Sequence, residues 1–228
     1  MPSLPPTVLL DLDGTIIDSE PGIVASCRAA LLSLGLAMPP QPDIARLIGP
    51  PIADVMAYLL GAQGDDRVAE AVAAYRADYG ARGLFDCRLY AGIETALRDL
   101  HAAGMPLVLA TSKRRDFAER ILENLGLLPL FAAVYGSGPA TTSPHKDEMI
   151  AGILAERGLD PRAAVMVGDR RFDIAGAHAN RLRAIGVLWG YGARNELEEC
   201  GADLLLHDPA DLTPEAVRHA LGSAPRAD

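Results

Sequence analysis

A chain of 228 residues, half of them apolar, can hold one large α/β domain or a core with a modest insertion. With 30 acidic against 21 basic residues the net charge is −9, which excludes a nucleic-acid partner, because gripping a phosphate backbone takes a basic face. No uncharged apolar run reaches the roughly 18 residues that cross a bilayer, and Met1-Pro2-Ser3-Leu4-Pro5-Pro6 lacks the pattern of a signal peptide, so a soluble cytoplasmic protein with no membrane partner is expected.

The first predicted element is Thr7-Val8-Leu9-Leu10, an apolar run that reads as a buried parallel strand. It ends in Asp11-Leu12-Asp13 and is broken by Gly14. Residues i and i+2 of a strand project from the same face, so Asp11 and Asp13 point the same way. Two like charges there are costly unless something uses them, and hard oxygen ligands suit Mg²⁺. A turn in which Asp and Gly simply stop the strand accounts for this segment equally well when it is taken alone.

From Ser19 to about Leu84 the pattern is helical, with windows at Ile23 to Leu34, Ile52 to Leu60 and Val68 to Tyr79. Turn signals at Pro39-Pro40, Gly49-Pro50-Pro51 and Gly61 to Asp65 separate them. From Leu89 onward the two element types alternate. Helices are predicted at about 92–103, 115–126, 145–157, 171–180, 194–200 and 213–221, and strands at about 106–110, 132–136, 163–168, 184–188 and 203–206. The low-complexity stretch Gly222 to Asp228 reads as a frayed end. Alternation of this kind predicts an α/β fold, a Rossmann-like doubly wound parallel sheet, with an α-helical cap inserted after the first strand. The core is assigned to 1–16 and 88–228, and the cap to 17–87.

In such a sheet the strand ends share one crevice. Ala164-Val165-Met166-Val167-Gly168-Asp169 is a second apolar run ending in a carboxylate, with Asp173 four residues on. Pro106-Leu107-Val108-Leu109-Ala110 ends in Thr111-Ser112-Lys113. Acidic and hydroxyl groups are therefore expected to converge. Cys27, Cys87 and Cys200 are too far apart in sequence for a disulfide framework, and the scattered histidines form no zinc set. Among the 21 basic residues only Lys113 and Lys146 are lysines. A compact ammonium suits a crowded phosphate where a planar guanidinium does not, which favours a functional Lys146; Lys113, beside Arg114 and Arg115, is placed on an exposed turn.

Asp11-Leu12-Asp13-Gly14-Thr15, then Thr111, Lys146, and Gly168-Asp169 with Asp173, resemble in order the four motifs of the haloacid dehalogenase-like superfamily. The likeness spans residues 7 to about 206. Within the superfamily, Leu47-Ile48-Gly49-Pro50-Pro51, Ala110-Thr111-Ser112-Lys113, Val165 to Arg170 and Gly190-Tyr191-Gly192 are similar to the phosphoglycolate phosphatase and 5′-nucleotidase-like branch. Gly49-Pro50-Pro51 is either a plain helix–helix turn or a substrate-facing loop.

The resemblance implies a Mg²⁺-dependent phosphatase of small phosphorylated metabolites, nucleoside 5′-monophosphates or phosphoglycolate. Asp11 would be the nucleophile that forms an aspartyl-phosphate, and Asp13 the general acid and then base. Thr111, Ser112 and Lys146 would hold phosphoryl oxygens, with backbone N–H groups from Leu12 to Thr15 adding to the cradle. Mg²⁺ would sit on the Asp11 carboxylate, the Asp13 backbone carbonyl and Asp169, supported by Asp173, Gly14, Thr15 and Lys113. A dehalogenase lacks the carboxylate at Asp13, and a phosphonate hydrolase needs a cap lysine that residues 17–89 do not contain. A sugar phosphomutase of the same fold and a non-catalytic phospho-accepting or ligand-binding regulatory module are the alternatives. No sequence feature specifies an oligomeric state.

Overall fold

The computed structural model describes residues 5–41, 43–138 and 145–222, so the leading Met1 to Leu4 and, apart from Gly222, the stretch read as a frayed end lie outside the described residues. The chain begins with β1 (Thr7–Leu10) and β2 (Ile17–Asp18), followed by helices α1 (Glu20–Ser33), α2 (Ile44–Leu47), α3 (Ile52–Gly61) and α4 (Val68–Ala81). After β3 (Arg88–Leu89) come α5 (Ile93–Ala102), β4 (Leu107–Arg114), α6 (Arg115–Asn124), β5 (Phe131–Ser137), α7 (Lys146–Arg157) and β6 (Ala164–Gly168). The remainder is α8 (Arg171–Ala179), β7 (Arg183–Val187), α9 (Arg194–Glu199), β8 (Leu204–Leu206) and α10 (Pro214–Gly222). Among the described residues no helix is long and apolar enough to cross a membrane.

Six strands form one parallel sheet in the order β5-β4-β1-β6-β7-β8. Side-chain alternation divides its apolar residues between two cores. Val8, Leu10, Leu107, Leu109, Val165 and Val167 face one core, which α5, α6 and α10 cover through residues such as Leu97, Ile121 and Val217. Leu9, Val108, Ala110 and Met166 face the other, closed by Ile150 and Ile153 of α7, Ile174 of α8 and Leu197 of α9. The covering helices form because their apolar residues recur at helical spacing, as Ile93, Ala96, Leu97 and Leu100 do in α5.

Two features depart from the sequence expectation. The strand predicted to stop at Ala110 runs on to Arg114, because β5 keeps pairing with it through a register shift that ends at Arg114 opposite Ser137. Backbone pairing there holds polar residues that carry no apolar strand signature. The segments on either side of the helical block also pair: β2 and β3 make a short antiparallel ribbon, tied by Arg88 Nη2 to Asp18 at 2.8 Å. Two-residue strands are too short to show a period.

On the far side of β6, Asp203 joins three elements: its carboxylate accepts from Arg183 Nη1 at 2.7 Å, from the Ala184 N–H at 2.8 Å, and meets His178 Nε2 at 3.1 Å. Burial alone would push this carboxyl up, but the Ala184, His178 and Arg183 contacts outweigh it and hold the group below its ordinary value of 3.8. A depressed folded-state pKa contributes stability above the ordinary value that is lost as pH falls through the folded one. Asp203→Ala is therefore expected to cost about 2 kcal/mol at pH 7. In thermal melts the gap to wild type should narrow between pH 7 and pH 3; a gap that stays constant would mean that the carboxylate charge contributes nothing.

Candidate active site

The order in which strands are added reverses at the middle of the sheet: β1, β4 and β5 step one way, and β6, β7 and β8 the other. Ligands of open α/β sheets bind outside the carboxyl ends of the strands at such a reversal. Asp11 and Asp13 follow β1, Thr111 to Lys113 sit in β4, and Asp169 follows β6. Lys146 opens α7 and Asp173 lies in the first turn of α8. The expected residues thus arrive from adjacent strands and from the helices that follow them.

Three carboxylates meet here. Oxygens of Asp11, Asp169 and Asp173 lie within 4.8 Å of one another, and all three residues are buried. Lys146 Nζ bridges two of them, 3.0 Å from Asp11 Oδ1 and 2.7 Å from Asp173 Oδ1, and donates to the Ala110 carbonyl at 2.8 Å. Burial, opposed by Lys146 and reinforced by Asp173 and Asp13, pushes Asp11 up to about 7. Asp169 is held well above the ordinary carboxylate range, first by burial and then by Asp173 and Asp11. Burial disfavours the Lys146 charge, yet Asp11 and Asp173 outweigh it and keep the ammonium above the usual lysine range.

These residues fit a divalent cation. One ammonium does not neutralise three carboxylates, and among the described residues the buried Asp169 Oδ1 atom has no hydrogen-bond partner while Oδ2 accepts from the Tyr191 N–H at 2.8 Å. An all-oxygen donor set with an orphaned buried acceptor suits a hard ion such as Mg²⁺.

Asp13 faces other partners. Its Oδ1 accepts from Ser19 Oγ at 2.5 Å and lies 3.1 Å from Lys113 Nζ. Lys113 also donates to the Tyr79 hydroxyl at 2.5 Å, and its side chain is only 6% exposed. The expected exposed turn is thus a correction: β4 extends past Ala110 and carries Lys113 inward against a helix of the inserted block. Burial works against its charge, but Asp13 and Tyr79 hold Lys113 above the usual lysine range.

Thr111 is buried, and its Oγ1 accepts from the Lys113 N–H at 3.2 Å. Ser112 Oγ donates to the Gly49 carbonyl at 3.0 Å. Gly14 takes φ +84°, and a Cβ on it would stand 2.2 Å from Asp169 Oδ2, so only glycine lets the β1 turn press against that carboxylate. The tight turn uses its own donors: the Gly14 and Thr15 N–H groups, expected to join a phosphate cradle, go instead to the Ile17 and Leu12 carbonyls. The Thr15 hydroxyl is buried without a partner, and the Thr15 carbonyl accepts from Trp189 Nε1 at 3.0 Å.

Sequence reasoning missed several supporting residues. Buried Arg170 bonds Glu196 through Nε at 3.1 Å and the Ile48 carbonyl through Nη1, while its backbone N–H donates to Asp173 at 3.1 Å. Gly49, at φ +107°, rests on the Arg170 side chain, so the Ile48-Gly49 loop is fastened to the residue following Asp169. In a chain rich in arginine nothing singles Arg170 out. The Tyr191 hydroxyl accepts from the Ser19 N–H at 2.8 Å and contacts Asp18 Oδ1 at 3.0 Å, gripping the segment that leads into α1. Its flanking glycines were the available signal.

Residues 8–187 match the family model described as haloacid dehalogenase-like hydrolase. The chain is 38% identical over 221 residues to a 5′-nucleotidase of Pseudomonas aeruginosa, covering 96% of each protein. It is 36% identical over 219 residues to the tyrosine-protein kinase PtkA of Mycobacterium tuberculosis, covering 96% of this chain and 73% of that one. Among solved structures, a predicted phosphatase from Clostridium acetobutylicum superposes with a TM-score of 0.86 at 32% identity, covering 95% of this chain and all of the other. With its carboxylate-bearing strand ends side by side and most of its length matched, the chain belongs to the haloacid dehalogenase-like hydrolase family.

Proposed function

We propose that this protein is a Mg²⁺-dependent phosphatase acting in the cytoplasm on small phosphomonoesters, of the nucleoside 5′-monophosphate or phosphoglycolate kind, through an aspartyl-phosphate. The observation that carries the reading is the division of labour among the carboxylates: Asp11 belongs to the buried triad bridged by Lys146, while Asp13 is held apart by Ser19 and Lys113.

In this reading an Asp11 oxygen attacks phosphorus in line and the ester oxygen leaves. Asp13 gives that oxygen a proton and then takes one from the water that attacks the aspartyl-phosphate. Lys146, already in contact with Asp11 Oδ1, reaches a phosphoryl oxygen arriving there. Thr111 accepts from the Lys113 N–H, leaving its own O–H to donate to another. Ser112 gives its proton to Gly49, so we assign it to holding that loop. The Asp11 and Asp169 carboxylates and the Asp13 backbone carbonyl would hold Mg²⁺, with Asp173 beside them. The bound ion supplies charge neutralisation for the phosphoryl oxygens. Residues 17–87 act as a cap over a core formed by 1–16 and 88–228, and the Ser19 and Lys113 contacts of Asp13 lie where the two meet.

The test is phosphate release from para-nitrophenyl phosphate. We expect turnover with Mg²⁺ and a fall of at least about a hundredfold after EDTA, restored by Mg²⁺. Full activity after exhaustive chelation would remove the metal from the reading. Stable phosphorylation of Asp11 without phosphate release would favour the phospho-accepting module.

A further inference from the structure

Where the helical block meets the end of β4, a cavity of about 80 Å³ opens beside Asp13. Ile48, Pro50, Pro51 and Phe117 contribute apolar wall, and Tyr75 and Tyr79 stack with ring centroids 5.3 Å apart. Among the described residues three cations line the cavity: Arg76, Lys113 and Arg114. Lys113 is committed to Asp13 and Tyr79. Arg114 is paired with Asp116 at 2.7 Å and lies over the Phe117 ring. Arg76 of α4 differs, since its Nε is buried and has no hydrogen-bond partner among the described residues. Asp13, the one carboxylate among the described residues of the cavity wall, is already held by Lys113.

An arginine side chain that lines a cavity and lacks an acceptor is suited to an anion. A carboxylate matches its planar fork in a bidentate pair. Volume restricts what can bear that carboxylate. About 80 Å³ is less than the roughly 150 Å³ of a cavity that holds benzene, so a group of a few heavy atoms fills the space beside Asp13.

Resting on the phosphatase reading above, we propose that Arg76 is a specificity-determining residue that binds a carboxylate on the substrate. The preferred esters are then small phosphorylated hydroxy acids, with the phosphoryl group at Asp11 and the carboxylate reaching past Asp13 to the α4 guanidinium. A nucleoside monophosphate has no second anion to place there.

The test compares 2-phosphoglycolate with ethyl phosphate, which has the same skeleton without the carboxylate, and with phosphoethanolamine and adenosine 5′-monophosphate. Wild type should favour 2-phosphoglycolate over ethyl phosphate by about a hundredfold or more in kcat/KM. Arg76→Met should collapse that ratio to about fivefold or less, chiefly through KM. Arg76→Glu should place phosphoethanolamine above 2-phosphoglycolate, a reversal that a merely structural arginine would not produce. The proposal is overturned by wild type that treats the first two esters alike, by wild type that prefers adenosine 5′-monophosphate, or by a ratio unchanged in a folded Arg76→Met. Wild type that fails to discriminate overturns the proposal even where a variant fails to fold. Hydrolysis of none of the four esters with Mg²⁺ would instead remove the phosphatase reading and this proposal with it.

Discussion

Asp11→Asn is expected to lower kcat by at least about a thousandfold while the protein still melts cooperatively within a few degrees of wild type. The amide keeps the shape of the carboxylate and loses both its nucleophilicity and its charge. Folding should not suffer, because the site buries three carboxylates against one lysine and removing one charge eases that imbalance. Lys146 keeps Asp173 and the Ala110 carbonyl as partners. Mass spectrometry must exclude reversion by deamidation. Activity within tenfold of wild type in a preparation free of aspartate would end the nucleophile assignment.

Lys146→Arg should cost about a hundredfold in kcat/KM, or roughly 3 kcal/mol of transition-state stabilisation, although the charge is conserved. The ammonium serves three acceptors, Asp11, Asp173 and the Ala110 carbonyl, all within 3.0 Å. A planar fork does not address three groups arranged around a single nitrogen. The stem has no room to swing aside either, since a Cβ at Gly176 would already stand 2.9 Å from Lys146 Cγ. Steady-state kinetics with one good substrate decides; a fully active arginine variant would show that any cation suffices there.

The sheet and the carboxylate cluster were legible in the sequence for one physical reason: strands buried on both faces are written as uninterrupted apolar runs, so their ends are marked. Val8 to Leu10 and Ala164 to Val167 end at Asp11 and Gly168-Asp169, and both carboxylates lie where those ends imply. What stayed hidden is what depends on the inserted helices. The burial of Lys113 follows from the late register shift between β4 and β5, which only the partner strand creates. Tyr79, one turn after Tyr75, reads as ordinary helix core, and nothing local says that its hydroxyl meets a lysine of the sheet. Arg76 and Arg170 are two arginines among many until the fold buries the Nε of the first and the whole of the second.

The position of β1 at the centre of the sheet has a consequence for how the protein is made. Val8 pairs with Leu107 on one side and Val165 on the other, so the nascent chain carries its nucleophile strand without a neighbour on either edge until β4 is made, and with one edge open until β6 follows. Contacts so distant along the chain form slowly, and an apolar strand without neighbours is prone to pair with other molecules. Assembly of the sheet and assembly of the acidic cluster are consequently the same late event, since β6 delivers both the second neighbour of β1 and Asp169.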